Sequence, residues 1–399
     1  MNRPDPGSHE VVDNATDSSR ATAGRDAAGL RDLLAELCLI PSPSRHERAI
    51  ADDITSRLRA LGASVTEDDA ATSTGGAAGN LVAVLPGDVP RRVVLAAHMD
   101  TVPLVEGQPL EAIAVGTVLR STGQQILGAD DKAGVAIVLE LVERMSHVPR
   151  AARPTIVAVI TVCEEIGLVG AHHLDVAGLA AHFGFSFDGE VPVGELITKA
   201  VYKESVTLTV RGRRSHAALE PELGIHAIRA AAEVVRSFPL GRTNPDQVAN
   251  IGSINGGGST NVVPDEVRLA AEARAFSAGR LEELVSTIER NATAATEPLG
   301  ATVEFERRRL YDGYDLAADA EPCQLLFATA ARHGIAPSTV ASIGGSDTNV
   351  LNQKGLPTVN VGVNMHDIHS VGEWIDAADL ERVTAWLTDA LLATQNLPS

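Results

Sequence analysis

Two apolar stretches of the chain run straight into acids and imidazoles. Val93 to Ala97 stops at His98-Met-Asp100, and Ile156 to Cys163 stops at Glu164-Glu165. A third run, Phe183 to Phe187, ends at Asp188. Short continuous apolar runs read as strands of a sheet covered on both faces, and an open parallel sheet gathers its functional groups at the carboxyl ends of its strands. All three clusters are therefore expected on one rim. Between the first two lies Gly128-Ala-Asp130-Asp131-Lys132-Ala-Gly134, and His366-Asp-Ile-His369 follows near the C-terminus.

The elements around these runs alternate. Leucines at helical spacing from Gly29 and a second helix from about Arg48 to Leu61 precede the strand into His98, and a helix from Gly134 to Arg150 leads into the Ile156 strand. This order predicts a helix-flanked, mainly parallel sheet. From about Val201 the pattern becomes β-α-β-β-α-β over 201–311, a ferredoxin-like α+β unit inserted into the first. The first pattern returns over 312–399 with a strand at Leu356 to Val363 and a final helix from Ala377. The expected organisation is a tail over 1–27, a catalytic domain in two parts, 28–200 and 312–399, and the insert. At 399 residues the chain is long enough for two or three domains, and with 44% hydrophobic but 3% aromatic residues its core must be aliphatic.

The formal charge of −19 disfavours nucleic acid and anionic membranes as partners, since both select a basic surface. The first 27 residues lack an apolar core of the signal-peptide kind and read as disordered, and no apolar run reaches the ~20 residues that cross a bilayer. Three widely spaced cysteines, Cys38, Cys163 and Cys323, do not make a disulfide framework and fit a reducing compartment. The expected location is the cytoplasm.

Taken alone, His98-x-Asp100 is a common loop pair and Asp130-Asp131-Lys132 a common solvated turn. Two adjacent carboxylates closing a buried run are harder to dismiss, because they repel each other unless a cation or proton compensates. Joint occurrence points to metal. Mixed His and carboxylate donors of this number hold two divalent ions if one carboxylate bridges, leaving another acid free as a base. Glu164 and Glu165 are suited to divide those roles.

His98-Met-Asp100-Thr-Val, Leu127-Gly-Ala-Asp130-Asp131-Lys-Ala-Gly, Cys163-Glu164-Glu165-Ile-Gly-Leu-Val-Gly-Ala, Asp188 and Ile368-His369-Ser-Val-Gly-Glu373 together resemble the peptidase T-like branch of the co-catalytic zinc peptidases. That superfamily includes carboxypeptidase G, aminoacylase and succinyl-diaminopimelate desuccinylase. The resemblance runs in order from about Leu30 to Leu391. It implies His98, Asp130, Glu165, Asp188 and His369 as ligands of two ions, zinc or else cobalt or manganese, with Asp130 bridging. Glu164 becomes the general base, Asp100 the residue that orients His98, and Asp131 a supporting turn residue. His369 is preferred over His366 because Glu373 follows it by four, and His172 and His173 are expected on the surface. The insert resembles a lid and dimerisation domain, which makes the expected assembly a homodimer. Its His216 would stabilise the oxyanion, often in the partner's site, while Asn261, Arg274 and the loop at Gly345 would meet substrate. Ala217-Ala218 and His226 depart from the usual residues of that segment. The implied activity is hydrolysis of short peptides, as an aminopeptidase. The rivals are an amidohydrolase of N-acyl or N-carbamoyl amino acids and a catalytically silent metal-dependent binding protein.

Overall fold

The computed structural model describes residues 24–397. The expected tail lies outside the described residues except for its last four. Of these, Asp26 caps the first helix, Ala27–Cys38, and Arg25 pairs with Glu140 and Glu143.

The main sheet has nine strands. Its order is Ser64–Glu67, Leu81–Leu85, Pro154–Thr161, Val89–His98, Phe183–Gly189, Thr358–Gly362, Glu195–Ala200 and Tyr314–Asp315, with Ser338–Ser342 also pairing Glu195–Ala200. The four central strands, from Pro154–Thr161 to Thr358–Gly362, run parallel, and the flanks are mostly antiparallel. Side chains alternate between faces along a strand, and here both faces are buried. Val93, Leu95, Ala97, Ile156, Ala158 and Ile160 join one core with the helices Ala27–Cys38, Ala129–His147 and Ala377–Ala393. Val94, Ala96, Val157 and Val159 meet Leu174, Val176, Leu179, Leu351 and Leu356 on the other. This two-sided burial is why the strands read as unbroken apolar runs.

The helix expected from Gly134 starts at Ala129, with Asp130 and Asp131 in non-helical conformation, and ends at His147 before Pro149. The late strand Thr358–Gly362 enters the sheet beside Phe183–Gly189, as the position of His369 requires.

Residues 202–311 build a separate five-stranded antiparallel sheet in the order Gly241–Asn244, Gln247–Gly256, Glu266–Ala275, Tyr202–Arg211, Thr302–Tyr311. The last four have the ferredoxin-like order, and the first adds a short edge hairpin. Helices Ala227–Ser237 and Ala278–Thr296 cover one face through Ala230, Ala231, Val234, Leu281, Val285 and Ile288, a core distinct from that of the main sheet. Both ends of this segment return to one place, since Tyr314 pairs Ala200 and Tyr311 pairs Lys203. Among the described residues no helix is long and apolar enough to cross a membrane.

Candidate metal centre and substrate cavity

Parallel pairing sets the carboxyl ends of the four central strands side by side. His98 is the last residue of its strand, Asp188 the penultimate residue of its own, and Glu164-Glu165 follow Thr161 by a short turn. His369 arrives on the loop after Thr358–Gly362, where it and Asp367 have positive φ.

The donors converge around Asp130. His98 Nε2 lies 3.4 Å from Asp130 Oδ1 and 3.9 Å from Asp188 Oδ1. His369 Nε2 lies 2.9 Å from Asp130 Oδ2 and 3.1 Å from Glu165 Oε1. Asp130 thus stands between the two imidazoles, where a bridging carboxylate would stand. Its Oδ1 and the Oε1 of Glu165 are buried without a well-directed hydrogen bond. Buried carboxylate oxygens left this way are costly unless a cation takes them, so the donor set fits divalent metal. Two groups of three donors lie close enough to share an ion, His98 with Asp130 and Glu165, and His98 with Asp131 and Asp188. Asp131, however, is already engaged: its Oδ2 accepts from the His98 backbone N–H at 3.2 Å and its Oδ1 from Gly134 at 2.9 Å. It pins the turn, and Asp130 carries the free oxygen. The peptide bond between them is cis.

Electrostatics tell the same story. Burial among like charges pushes Asp131, Glu164 and Asp188 well above the carboxylate range. Burial also opposes a charged His98, but its contacts with Asp100 and Asp130 outweigh this and hold the imidazolium well above the usual histidine value. Asp130 and then Glu165 raise His369 to about 10.

Asp100 contacts more than His98. Its carboxylate is 3.5 Å from His98 Nδ1, while its backbone carbonyl is closer at 3.0 Å. The same carboxylate accepts from Ser44 Oγ at 2.6 Å and from the backbone N–H groups of Glu164 at 2.9 Å and Glu165 at 3.3 Å. Glu373 holds the loop that carries Asp130, accepting from the backbone N–H of Gly128 at 2.7 Å and of Asp130 at 3.0 Å. His366 points elsewhere and stacks on Trp374 with ring centroids 3.8 Å apart. His172 and His173 are exposed, and His172 Nε2 reaches the Leu310 carbonyl.

Glu47 escaped the sequence reading. Its fully buried Oε1 accepts from Arg45 N at 2.8 Å and from both the backbone N–H and the thiol of Cys163 at 3.2 Å. Cys163 has φ of 57°, a left-handed position unusual for a side chain of its kind, and directly precedes Glu164. Glu47 and Asp100 therefore clamp the turn that presents the two glutamates. No motif signals this, because an acid at the start of the Arg48–Ala60 helix looks like ordinary helix-end chemistry.

A cavity with about 230 Å³ of solvent-accessible space opens on this cluster, lined by Asp130, Glu164, Glu165, Asp188 and His369 on the main-sheet side. Lys203, Arg274 and Tyr311 line it from the second sheet, where they are neighbours across three adjacent strands. Glu272 is shared between the two cations, at 2.8 Å from Lys203 and 2.9 Å from Arg274. Gly345 also lines the cavity, packed so tightly that a Cβ there would come 2.2 Å from the Tyr311 hydroxyl. His216 and Asn261 lie elsewhere. Both are exposed on the second sheet's connections, outside this cavity in the single chain, with His216 Nδ1 accepting from Ala218 and Leu219 and the Asn261 carbonyl from Ala217.

The family model described as peptidase family M20/M25/M40 matches residues 94–393. This chain belongs to that family. It is 34% identical to the uncharacterized protein YqjE of Bacillus subtilis over 90% of this chain and 95% of the relative. The aminopeptidase PepT of Bacillus cereus superposes with a TM-score of 0.81 at 33% identity, covering 92% of this chain and 99% of that one. A tripeptidase of Staphylococcus aureus superposes at 0.85 with 30% identity, covering 94% and 100%. Family and neighbours place the chain in the peptidase T-like branch and make it a metal-dependent peptide hydrolase.

Proposed function

We propose that this peptidase is an aminopeptidase of short peptides that works with two divalent ions, with zinc as the first candidate and cobalt or manganese accepted by the same donors. One observation carries the reading. Asp130 sits between His98 and His369 with a buried oxygen that lacks a hydrogen bond, while the buried Glu164 lines the same cavity. His98, Asp130, Glu165, Asp188 and His369 would hold the metals, and bound ions supply Lewis acidity, acidifying water and polarising the scissile carbonyl. Glu164 takes the proton of the attacking water and returns it to the leaving amine. Asp100 and Glu47 hold Glu164 in place, and Arg274 receives the carboxylate end of the peptide, where a planar guanidinium is the matching donor. The printed activities of the two similar structures, an aminopeptidase and a tripeptidase, support this substrate class.

In this reading His216 serves the oxyanion in a partner's site, because its own chain leaves it outside the cavity. The assembly is then a homodimer through the second sheet. Free, buried cysteines fit the cytoplasm.

Glu164→Ala is the deciding variant. Metal analysis should find it loaded like the wild type, while peptide turnover falls roughly 10²- to 10⁴-fold; full activity with full metal would remove Glu164 as the base. Hydrolysis of N-acyl or N-carbamoyl amino acids in place of peptides would replace the aminopeptidase reading. Mixing Glu164→Ala with His216→Ala chains tests the dimer, since hybrids restore one complete site only if His216 acts across subunits.

A further inference from the structure

We infer that Glu190 is the residue that recognises the free amino terminus of the substrate. The inference rests on the aminopeptidase reading and names the group that would enforce it.

Five acids line the cavity: Asp130, Glu164, Glu165, Asp188 and Glu190. Four are committed to metal or to proton transfer in the proposed mechanism. Glu190 alone is left to meet an ammonium group. It shares the cavity with Lys203 and Arg274, yet pairs with neither, because both cations take Glu272. Among the described residues its carboxylate has no ion pair and no hydrogen bond, and it is exposed toward the cavity space. An uncommitted carboxylate on the cavity, when the other four acids have metal or proton roles in the proposed mechanism, is available to bind a cation.

Its position suits the task. Glu190 follows the Phe183–Gly189 strand, two residues beyond Asp188. Residues two apart in extended backbone point to the same side, roughly 7 Å apart. An aminopeptidase cleaves after the first residue, so its substrate's amine lies only one carbon from the scissile carbonyl. A carboxylate just past the end of that strand, lining the same cavity as Asp188, is placed to meet that amine. The cationic row of Lys203 and Arg274 attracts the opposite end, so the cavity's charges give the peptide a direction.

The test uses the metal-loaded full chain, a tripeptide and its N-acetylated form, with the wild type, Glu190→Gln and Glu190→Asp. The wild type should prefer the free amine. Glu190→Gln should raise KM for the free tripeptide roughly 10- to 100-fold, the worth of a charge-assisted contact, with kcat nearly unchanged and turnover of the acetylated form unaffected. Glu190→Asp should recover part of the preference. Melting temperature and metal content should stay at wild-type values, which separates recognition from structure. If Glu190→Gln keeps the wild-type preference, the assignment is overturned and the aminopeptidase reading stands. If the wild type itself cuts the acetylated peptide as well as the free one, the aminopeptidase reading fails first and Glu190 loses its role with it.

Discussion

The rim of the main sheet and the root of the second sheet face the same cavity, yet they hold charge in opposite ways. On the rim, acids and imidazoles crowd together with buried oxygens unsatisfied. At the root, charges are paired: Glu272 holds Lys203 and Arg274, which line the cavity, and Glu204, on the adjoining position away from the cavity lining, holds Arg307 and Arg309. The rim is frustrated as a protein surface and becomes reasonable only with cations. The root is already satisfied and needs none. A site that does chemistry tolerates local imbalance, whereas a wall that positions substrate is best kept rigid.

Asp130→Ala should break the comparison most severely. Removing the carboxylate between the two imidazoles should lower metal content measured by atomic spectrometry and cut activity by roughly 10³-fold or more, in line with losing the ions' contribution to the barrier. Chelating the wild type should do the same reversibly. It should also lower the melting temperature, because ligand bound to the folded state at about 100 times its Kd contributes about 2.7 kcal/mol. A chelated enzyme with unchanged melting temperature would deny that the rim needs cations.

Glu47→Ala probes the clamp behind the rim. Three donors at Arg45 and Cys163 lose their acceptor, so stability should fall by about 1–3 kcal/mol. The misaimed Glu164 should lose roughly 10-fold in kcat. Metal content should hold and KM should change little. Glu47→Gln keeps one oxygen to accept these bonds and should restore most of kcat; if it is as impaired as Glu47→Ala, the clamp does not work through Oε1.

The smallest effect on activity belongs to Glu204→Gln. Burial raises the Glu204 carboxylate, but Arg307 and Arg309 outweigh it and leave the group below the ordinary glutamate value. Its contribution to stability is therefore full above the unfolded value of about 4.3 and is lost as pH falls through the lower folded value. Denaturant titrations at pH 7 should show Glu204→Gln less stable by about 1–3 kcal/mol, the gap closing toward pH 3, with kcat/KM within about twofold of wild type. A large loss of activity would show that the root is more than a wall.

Much of this architecture was readable without coordinates because apolar runs ending in ligands are local signals. Val93 to His98 and Ile156 to Glu165 carry both the strand and the group it delivers. The ferredoxin-like insert was equally plain in its order of strands and helices. Other features had no local sign. Asp130 and Asp131 are identical neighbours: composition alone does not separate them, the family resemblance implied Asp130 as the bridge, and the N–H groups of His98 and Gly134 show Asp131 to be the occupied one. Glu47 lies 116 positions from the cysteine it holds. Lys203, Arg274 and Tyr311 form one row because three strands happen to be in register there. His216 and Asn261 stand outside the cavity because their two segments pair with each other, Ser215–His216 with Val262–Val263, in a two-stranded ladder apart from the strands that carry Lys203 and Arg274.

By itself, then, the amino-acid sequence determined the kind of sheet and the insertion within it, which follow from periodicity, and through its resemblance to a known family it named candidate metal donors. Tertiary structure decided which carboxylate oxygen lacks a hydrogen bond, what braces the turn before Glu164 and which charges face the cavity. Those outcomes depend on burial and on partners supplied by remote strands, and a hydrogen bond across a hundred residues leaves no mark on either neighbourhood until the chain has folded.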